Sequence, residues 1–389
     1  MNILIVHCKY RIRGGEDVVV ENDMKLLKEM GYKVVPYILS NATLDEAGIF
    51  TRMGCVIEFL DPKRQKQELI RIIKKERIDR IWVHNTLWLI GSAAYEAGLL
   101  CHVPVIQTVH NYRFLCPNGI CYRKNTLCCD CLRNGMHNAV FHGCYRDSRV
   151  LSAVIAAALM RQRRSGIYGR MKFVCLSEFQ REMLIDYLPD IAADKVFIKH
   201  NTTILSDKWI PYEQRKSQFI YAGRLTESKG VKELLKAWEA IENTKGDDKP
   251  YLIICGEGDL ADHVWEYIEK HSLRYVNYIG ETPHDKLLSY MAESKALIYP
   301  TRWFEGEPMT IIEAYSVGTP VIASDIGGVS ELIEEGRTGR KLDHKRMADN
   351  MVDIIKKWGD SYHYDEASIR CLAEKFSQKQ GINAIKAIL

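Results

Sequence analysis

The chain has 389 residues, 47% of them hydrophobic and 27% charged, with a formal net charge of +4 at pH 7. That length favours two domains, each able to bury a core, and so small a net charge gives no reason to expect nucleic acid or an acidic polymer as partner. No uninterrupted apolar run approaches the roughly 20 residues that span a bilayer; the longest, Val150 to Met160, has eleven with a serine inside it.

The opening MNILIVHCKY lacks the basic region and long apolar core of a signal peptide and reads as a first buried strand, so cytoplasmic residence is expected. The twelve cysteines are then expected as reduced thiols. A helix follows near Val18 to Met30, closed by Gly31, and then KVVPYIL, the helical QELIRIIKKE, DRIWVH and VPVIQTVH. Short apolar runs alternating with helical patterns are the signature of a parallel, doubly wound α/β sheet. Between the first strand and first helix lies RIRGGEDV, with Gly14 and Gly15 where a ligand could approach the backbone closely.

From His110 to Tyr145 six of the twelve cysteines crowd one stretch, an insertion over 110–146. Cys128 and Cys131 form a Cys-x2-Cys knuckle flanked by Cys116 and Cys144. Four thiolates in this pattern suit a tetrahedral structural zinc, with Cys121, Cys129, His137 or His142 as alternative ligands. Buried reduced thiols or a disulfide suit it as well. All plausible first ligands are sulfur, which argues against a catalytic metal. Next, VLSAVIAAALMRQRRSGIYGRMKF joins an apolar helical run to Arg161, Arg163, Arg164, Arg170 and Lys172. It reads either as a peripheral contact with anionic membrane at the inner face of the cell membrane or as a core helix with a solvated basic end.

Periodicity breaks over residues 200–217, between KVFIKH and FIYAGR, which divides the chain into an N-terminal domain 1–203, a C-terminal domain 204–370 and a last helix 371–389 packing back on the first. A second alternating series runs through FIYAGRL, VKELLKAWEAI, YLIICG, VNYIG, ALIYP and VIAS. Two such sheets imply two Rossmann-like domains facing across a cleft, with functional residues just after strands. GRLTESKG, Gly223 to Gly230, meets that test: glycine lets the backbone approach a phosphate, and Arg224 and Lys229 bring two cations to a helix entrance. So does the stretch after ALIYP, where Glu305 lies on a loop and Glu313 inside the helix MTIIEAYSV. Two carboxylates offer acceptors for sugar and ribose hydroxyls, while the N–H groups around Met309 and Thr310 suit phosphate oxygens.

AGRLTESKG, the turn Cys255-Gly256-Glu257-Gly258, and EGEPMTIIEAYSVGTPVIASDIGG together resemble family 4 glycosyltransferases of the GT-B fold. The resemblance implies transfer from a nucleotide-diphosphate sugar, with retention of anomeric configuration and without an obligatory metal. By position, Arg224 and Lys229 would neutralise the donor diphosphate, Glu313 would bind the ribose and Glu305 the donor sugar. Gly14, Gly15, Gly223 and Gly256 would lie against the donor, and His110 near the transferred sugar. Ser177 to Phe179 and Asn201 also fall where the family lines its site. The acceptor would be a saccharide or lipid-linked saccharide of cell-surface polysaccharide synthesis. A GT-B-fold epimerase, or a zinc-containing binding protein, is the alternative. The chain departs from the commoner Glu-Gly-Phe-Gly in having Glu305-Gly306-Glu307-Pro308, and Glu307 is expected to face solvent.

Overall fold

A computed structural model of the protein describes residues 1–10, 14–44, 48–207, 209–246, 248–358 and 364–389, without the side chains of residues 49–52. Arg11 to Arg13, part of the glycine-rich loop read from the sequence, lie outside the described residues. The chain divides into two compact units, one formed by Met1–Cys121, Cys128–His200 and Gly381–Leu389, the other by Tyr122–Leu127 and Asn201–Gln380.

The first unit is built on a six-stranded sheet of β1 (Asn2–Lys9), β2 (Lys33–Ser40), β3 (Arg80–Val83), β4 (Val105–Thr108), β7 (Lys172–Cys175) and β8 (Val196–Ile198), in the order β2-β1-β3-β4-β7-β8. Every pairing is parallel. Ile3 to Val6 are fully buried, as expected for a strand covered on both faces. Ile3, Ile5, Trp82, Ile106 and Val174 form a core with Val20 and Leu27 of the first helix and Ile385 and Ile388 near the C-terminus. That first helix spans Gly15–Glu29, starting three residues before the apolar periodicity does, because Asp17 Oδ2 accepts the Gly14 N–H at 2.9 Å and closes its N-terminus.

A two-stranded antiparallel ribbon, β5 (Tyr122–Arg123) with β6 (Thr126–Leu127), belongs to the second unit. The main sheet of that unit comprises β9 (Gln218–Ala222), β10 (Tyr251–Cys255), β11 (Val276–Gly280), β12 (Ala296–Tyr299), β13 (Val321–Ser324) and β14 (Gly339–Leu342), in the order β11-β10-β9-β12-β13-β14. Its pairings are likewise parallel. The helix Val231–Glu242 buries Val231, Leu234, Leu235, Trp238 and Ile241, one face at helical spacing, against β9 and β10. On the other face of the sheet, Ile311, Ile312 and Tyr315 of the helix Met309–Ser316 pack on β12 and β13 with Leu372 and Phe376. The C-terminal stretch is two helices, Glu366–Lys375 and Gln378–Ile388. The change of unit after Gln380 follows from which core each buries its apolar residues in.

Candidate functional site

In the second unit β9 and β12 are neighbours, and the loops leaving their C-terminal ends meet. Gly230, φ +72°, closes the turn before its helix, and a Cβ there would lie 1.9 Å from the Pro300 carbonyl oxygen. Only glycine permits that approach, which brings Lys229 against the end of β12. Lys229 Nζ donates to Glu305 Oε1 at 2.6 Å and to the Tyr299 hydroxyl at 2.7 Å. The same Glu305 oxygen accepts from Tyr299 at 2.8 Å, Thr301 Oγ1 at 3.0 Å and Trp303 Nε1 at 3.0 Å. Both charged side chains are only 11% exposed, so their attraction is poorly screened. Burial lowers the Lys229 pKa, and the Glu305 charge opposes that shift. The ammonium lies 5.0 Å from the Tyr299 ring and 5.4 Å from the Trp303 ring. Arg224 is exposed at the end of β9, near enough for its charge to act on Lys229 and Tyr299.

Two residues beyond Glu305 the structure corrects the sequence reading. Glu307 does not face solvent: it is 5% exposed, and its Oε2 accepts the main-chain N–H of Asn201 at 2.6 Å. Asn201 Nδ2 donates in return to the Glu307 carbonyl at 2.8 Å. These two hydrogen bonds to Asn201 fix the turn ahead of the helix Met309–Ser316, for which Pro308 serves as N-cap. The first-turn N–H groups of Met309 and Thr310 point along the helix axis without intrahelical acceptors, as at any helix start. Within that helix Glu313 Oε1 is 3.0 Å from Nε2 of His284, the first residue of the helix His284–Glu293. Glu313 raises the pKa of this half-exposed histidine.

In the first unit, buried imidazoles gather at the C-terminal ends of β1, β3 and β4. His7 Nε2 is 2.9 Å from Asp17 Oδ1, and His84 Nδ1 is 2.9 Å from His110 Nε2. Burial lowers the pKa of all three, that of His110 to about 3, with the charge of Lys199 acting in the same direction on His84 and His110. Lys199 makes a buried ion pair of 2.7 Å with Asp23.

Residues 206–370 match the family model described as "Glycosyl transferases group 1". The chain is also similar to glycogen synthase of Mycobacterium tuberculosis, 26% identical over 277 residues, which are 69% of this chain and 58% of the relative. It therefore spans less than two thirds of that relative's length. Two solved structures share the fold over its whole length. One is the apo lipopolysaccharide outer core galactosyltransferase WaaB, at 18% identity and TM-score 0.65, covering 100% of both chains. The other is Anabaena HepE in complex with UDP-glucose, at 14% identity and TM-score 0.67, covering 100% of this chain and 99% of that one. The two parallel sheets with flanking helices are thus the GT-B fold.

Within the matched residues the structure brings Lys229, Glu305 and Arg224 together, with Glu313 about one turn into the helix Met309–Ser316. Gly256 serves the backbone directly: a Cβ there would lie 2.1 Å from the Gly223 carbonyl oxygen. Gly14 is extended, and a Cβ there would meet nothing within 4 Å. Ser177 caps the helix Glu178–Tyr187 by accepting the Gln180 N–H. Tyr299, Thr301, Trp303 and His284 escaped sequence reading. Position just after a strand was the available signal for Thr301 and Trp303, and none marked His284.

Of the four thiols expected to share a zinc, Cys116 and Cys131 are in contact, and the alternative ligand Cys121 joins them. Cys116 is hydrogen-bonded to Cys121 and Cys131, which hold it well below the usual thiol range, whereas the Cys128 amide is tied to the Cys121 carbonyl at 2.8 Å. Among the described residues no group of three or more His, Cys, Asp or Glu is arranged to hold a metal ion. In the basic segment, the helix Arg149–Arg164 buries Ile155, Ala156 and Leu159 in the first unit. Arg161 is 3.8 Å from Asp61, and Arg163 donates to the Phe114 carbonyl at 2.6 Å. No helix among the described residues is long and apolar enough to cross a membrane.

Proposed function

We propose that the protein is a retaining glycosyltransferase that moves a sugar from a nucleotide-diphosphate donor to a saccharide or lipid-linked saccharide acceptor in cell-surface polysaccharide synthesis. The observation that carries this reading is the buried Lys229–Glu305 pair set between exposed Arg224 and the start of the helix that bears Glu313. The cations and helix N–H groups suit a diphosphate, and the carboxylates suit hydroxyls. That the relative above is a glycogen synthase and that HepE is solved with UDP-glucose supports a nucleotide-sugar donor.

As the bond from the anomeric carbon to the diphosphate breaks, negative charge grows on the leaving phosphate oxygen. Lys229, Arg224 and the N–H groups of Met309 and Thr310 would stabilise it where the transition state requires it most. The acceptor hydroxyl attacks from the face the diphosphate leaves, and the departing phosphate takes its proton, so no separate carboxylate base is needed. Two protein cations at the phosphate make a metal unnecessary in this scheme. On donor binding Lys229 turns from Glu305 towards the phosphate, releasing Glu305 for a sugar hydroxyl. The reaction is placed in the cytoplasm, with peripheral contact at anionic membrane through the exposed Arg161 and Arg164 for a lipid-linked acceptor, and it involves no nucleic acid.

A panel of UDP-, GDP-, dTDP- and ADP-sugars offered to the reduced protein with saccharide and lipid-linked acceptors tests this. One donor should be consumed with an α-linked product from an α-linked donor. Inversion of that configuration, or epimerisation of the donor without transfer, would overturn it.

A further inference from the structure

We propose that Arg302 is a positioning residue for Lys229, and that the ribbon of β5 and β6 is a strap that Arg302 holds against the turn Glu227–Lys229. This rests on the proposed function for what Lys229 does, and goes beyond it in assigning Arg302, Asn125 and the ribbon.

The ribbon is too small to stand by itself. Its strands have two residues each, and a lone hairpin is marginal in water even at greater length. Its loop, Lys124-Asn125, has φ of +48° and +62°, the left-handed pair of a type I′ turn, which costs free energy in residues other than glycine. Contacts inside the second unit supply what the ribbon lacks. Asn125 Nδ2 donates to Glu227 Oε1 at 2.8 Å, and the Asn125 carbonyl accepts from Arg302 Nη2 at 2.8 Å.

Arg302 lies three residues past the end of β12 and ties three further segments together. Its main-chain N–H donates to the Ser228 carbonyl at 2.8 Å. Its Nη1 donates to Glu233 Oε1 at 2.5 Å, in the helix Val231–Glu242 that follows the turn. The two side chains are 24% and 20% exposed, so this attraction is poorly screened. Nη2 of the same guanidinium holds the ribbon, and only a planar fork serves both partners at once.

Lys229 sits in the middle of these ties. Glu227 is held through its side chain by Asn125 and by Lys232 Nζ at 3.0 Å, and Ser228 through its carbonyl by Arg302. On the other side Gly230 is pressed against Pro300. The backbone that carries the ammonium to Glu305 is therefore fixed before any ligand arrives, which is the preorganisation a charge aimed at a leaving group needs.

The test follows hydrogen exchange of the Lys229 and Gly230 amides, which donate to the Thr226 and Glu227 carbonyls at 3.1 and 3.2 Å, by mass spectrometry of the full chain. The Cys128 N–H already donates to the Cys121 carbonyl at 2.8 Å, so Gly-Gly in place of residues 122–127 leaves that bond closing a two-residue turn. In this ribbonless chain, and in Arg302→Ala, which keeps the main-chain bond to Ser228, both amides should exchange about tenfold faster. Asn125→Gly keeps the left-handed backbone, loses only the bond to Glu227, and should speed exchange about threefold. Unchanged exchange in Arg302→Ala and Asn125→Gly overturns the strap, even where the ribbonless chain fails to fold.

With the donor selected from the panel, Arg302→Ala should lose about tenfold in kcat, and Arg302→Lys should recover only part of it. In a Lys229→Met background Arg302→Ala should lower kcat no further. An equal drop in both backgrounds, or an undiminished kcat in Arg302→Ala alone, overturns the positioning of Lys229. If no donor of the panel is consumed, the proposed function fails, while the exchange rates still decide the strap.

Discussion

Glu307 binds the main-chain N–H of Asn201 through its carboxylate at 2.6 Å, while Asn201 Nδ2 binds the Glu307 carbonyl at 2.8 Å. A buried carboxylate thus fastens the turn ahead of the helix start whose N–H groups are proposed to hold phosphate. Glu307→Ala would leave the Asn201 N–H buried without an acceptor and should cost about 1–3 kcal/mol in urea unfolding, with weaker binding of the nucleoside diphosphate. Glu307→Gln keeps an acceptor oxygen and should lie within about 1 kcal/mol of wild type. Equal stability of the Ala variant and wild type would remove the anchoring role.

Lys229 and Glu305 are coupled by burial as well as distance. Lys229→Met and Glu305→Gln should each destabilise the protein, and the double variant should recover part of the sum, with a coupling of about 0.5–3 kcal/mol. Lys229→Met should also lower kcat by about 10²-fold, the usual scale for removing one preorganised charge from a leaving group. Strict additivity in the unfolding cycle would mean that the two charges do not interact in solution.

His284 and Glu313 predict a pH effect on donor binding. Glu313 raises the His284 pKa, so the charged pair is fully formed below the ordinary value of 6.5 and lost as pH rises through the raised value. Because the ribose would use the same carboxylate, the donor Kd should fall between pH 6 and pH 8. The histidine side chain is 60% exposed, so the effect should be only about 2–3-fold, as for solvated ion pairs. His284→Ala should flatten the profile; an unchanged slope in that variant would assign the pH dependence elsewhere.

Much of this was legible in the sequence because burial leaves a direct mark. The apolar runs ILIV, FIYA and ALIY became β1, β9 and β12, and the punctuation Gly223, Gly230 and Gly318 marked their loops and caps. Arg224, Lys229, Glu305 and Glu313 could be named because each lies just after a strand or on the helix that follows one. What the sequence hid were partners from distant segments. Asn201 is 106 residues from Glu307, and local polarity gave no sign that a Glu before Pro308 would be buried. Spacing likewise paired Cys128 with Cys131, whereas the fold turns Cys131, together with the alternative ligand Cys121, towards Cys116.

The donor site is the centre of this account, and calorimetric titration of the full chain with UDP, GDP, dTDP and ADP tests it most directly. One of the four should bind, and its affinity should fall by about tenfold or more, a loss of about 1.4 kcal/mol, in Lys229→Ala and in Glu313→Ala when both remain folded. Binding of none of them, or undiminished binding to both variants, would contradict it.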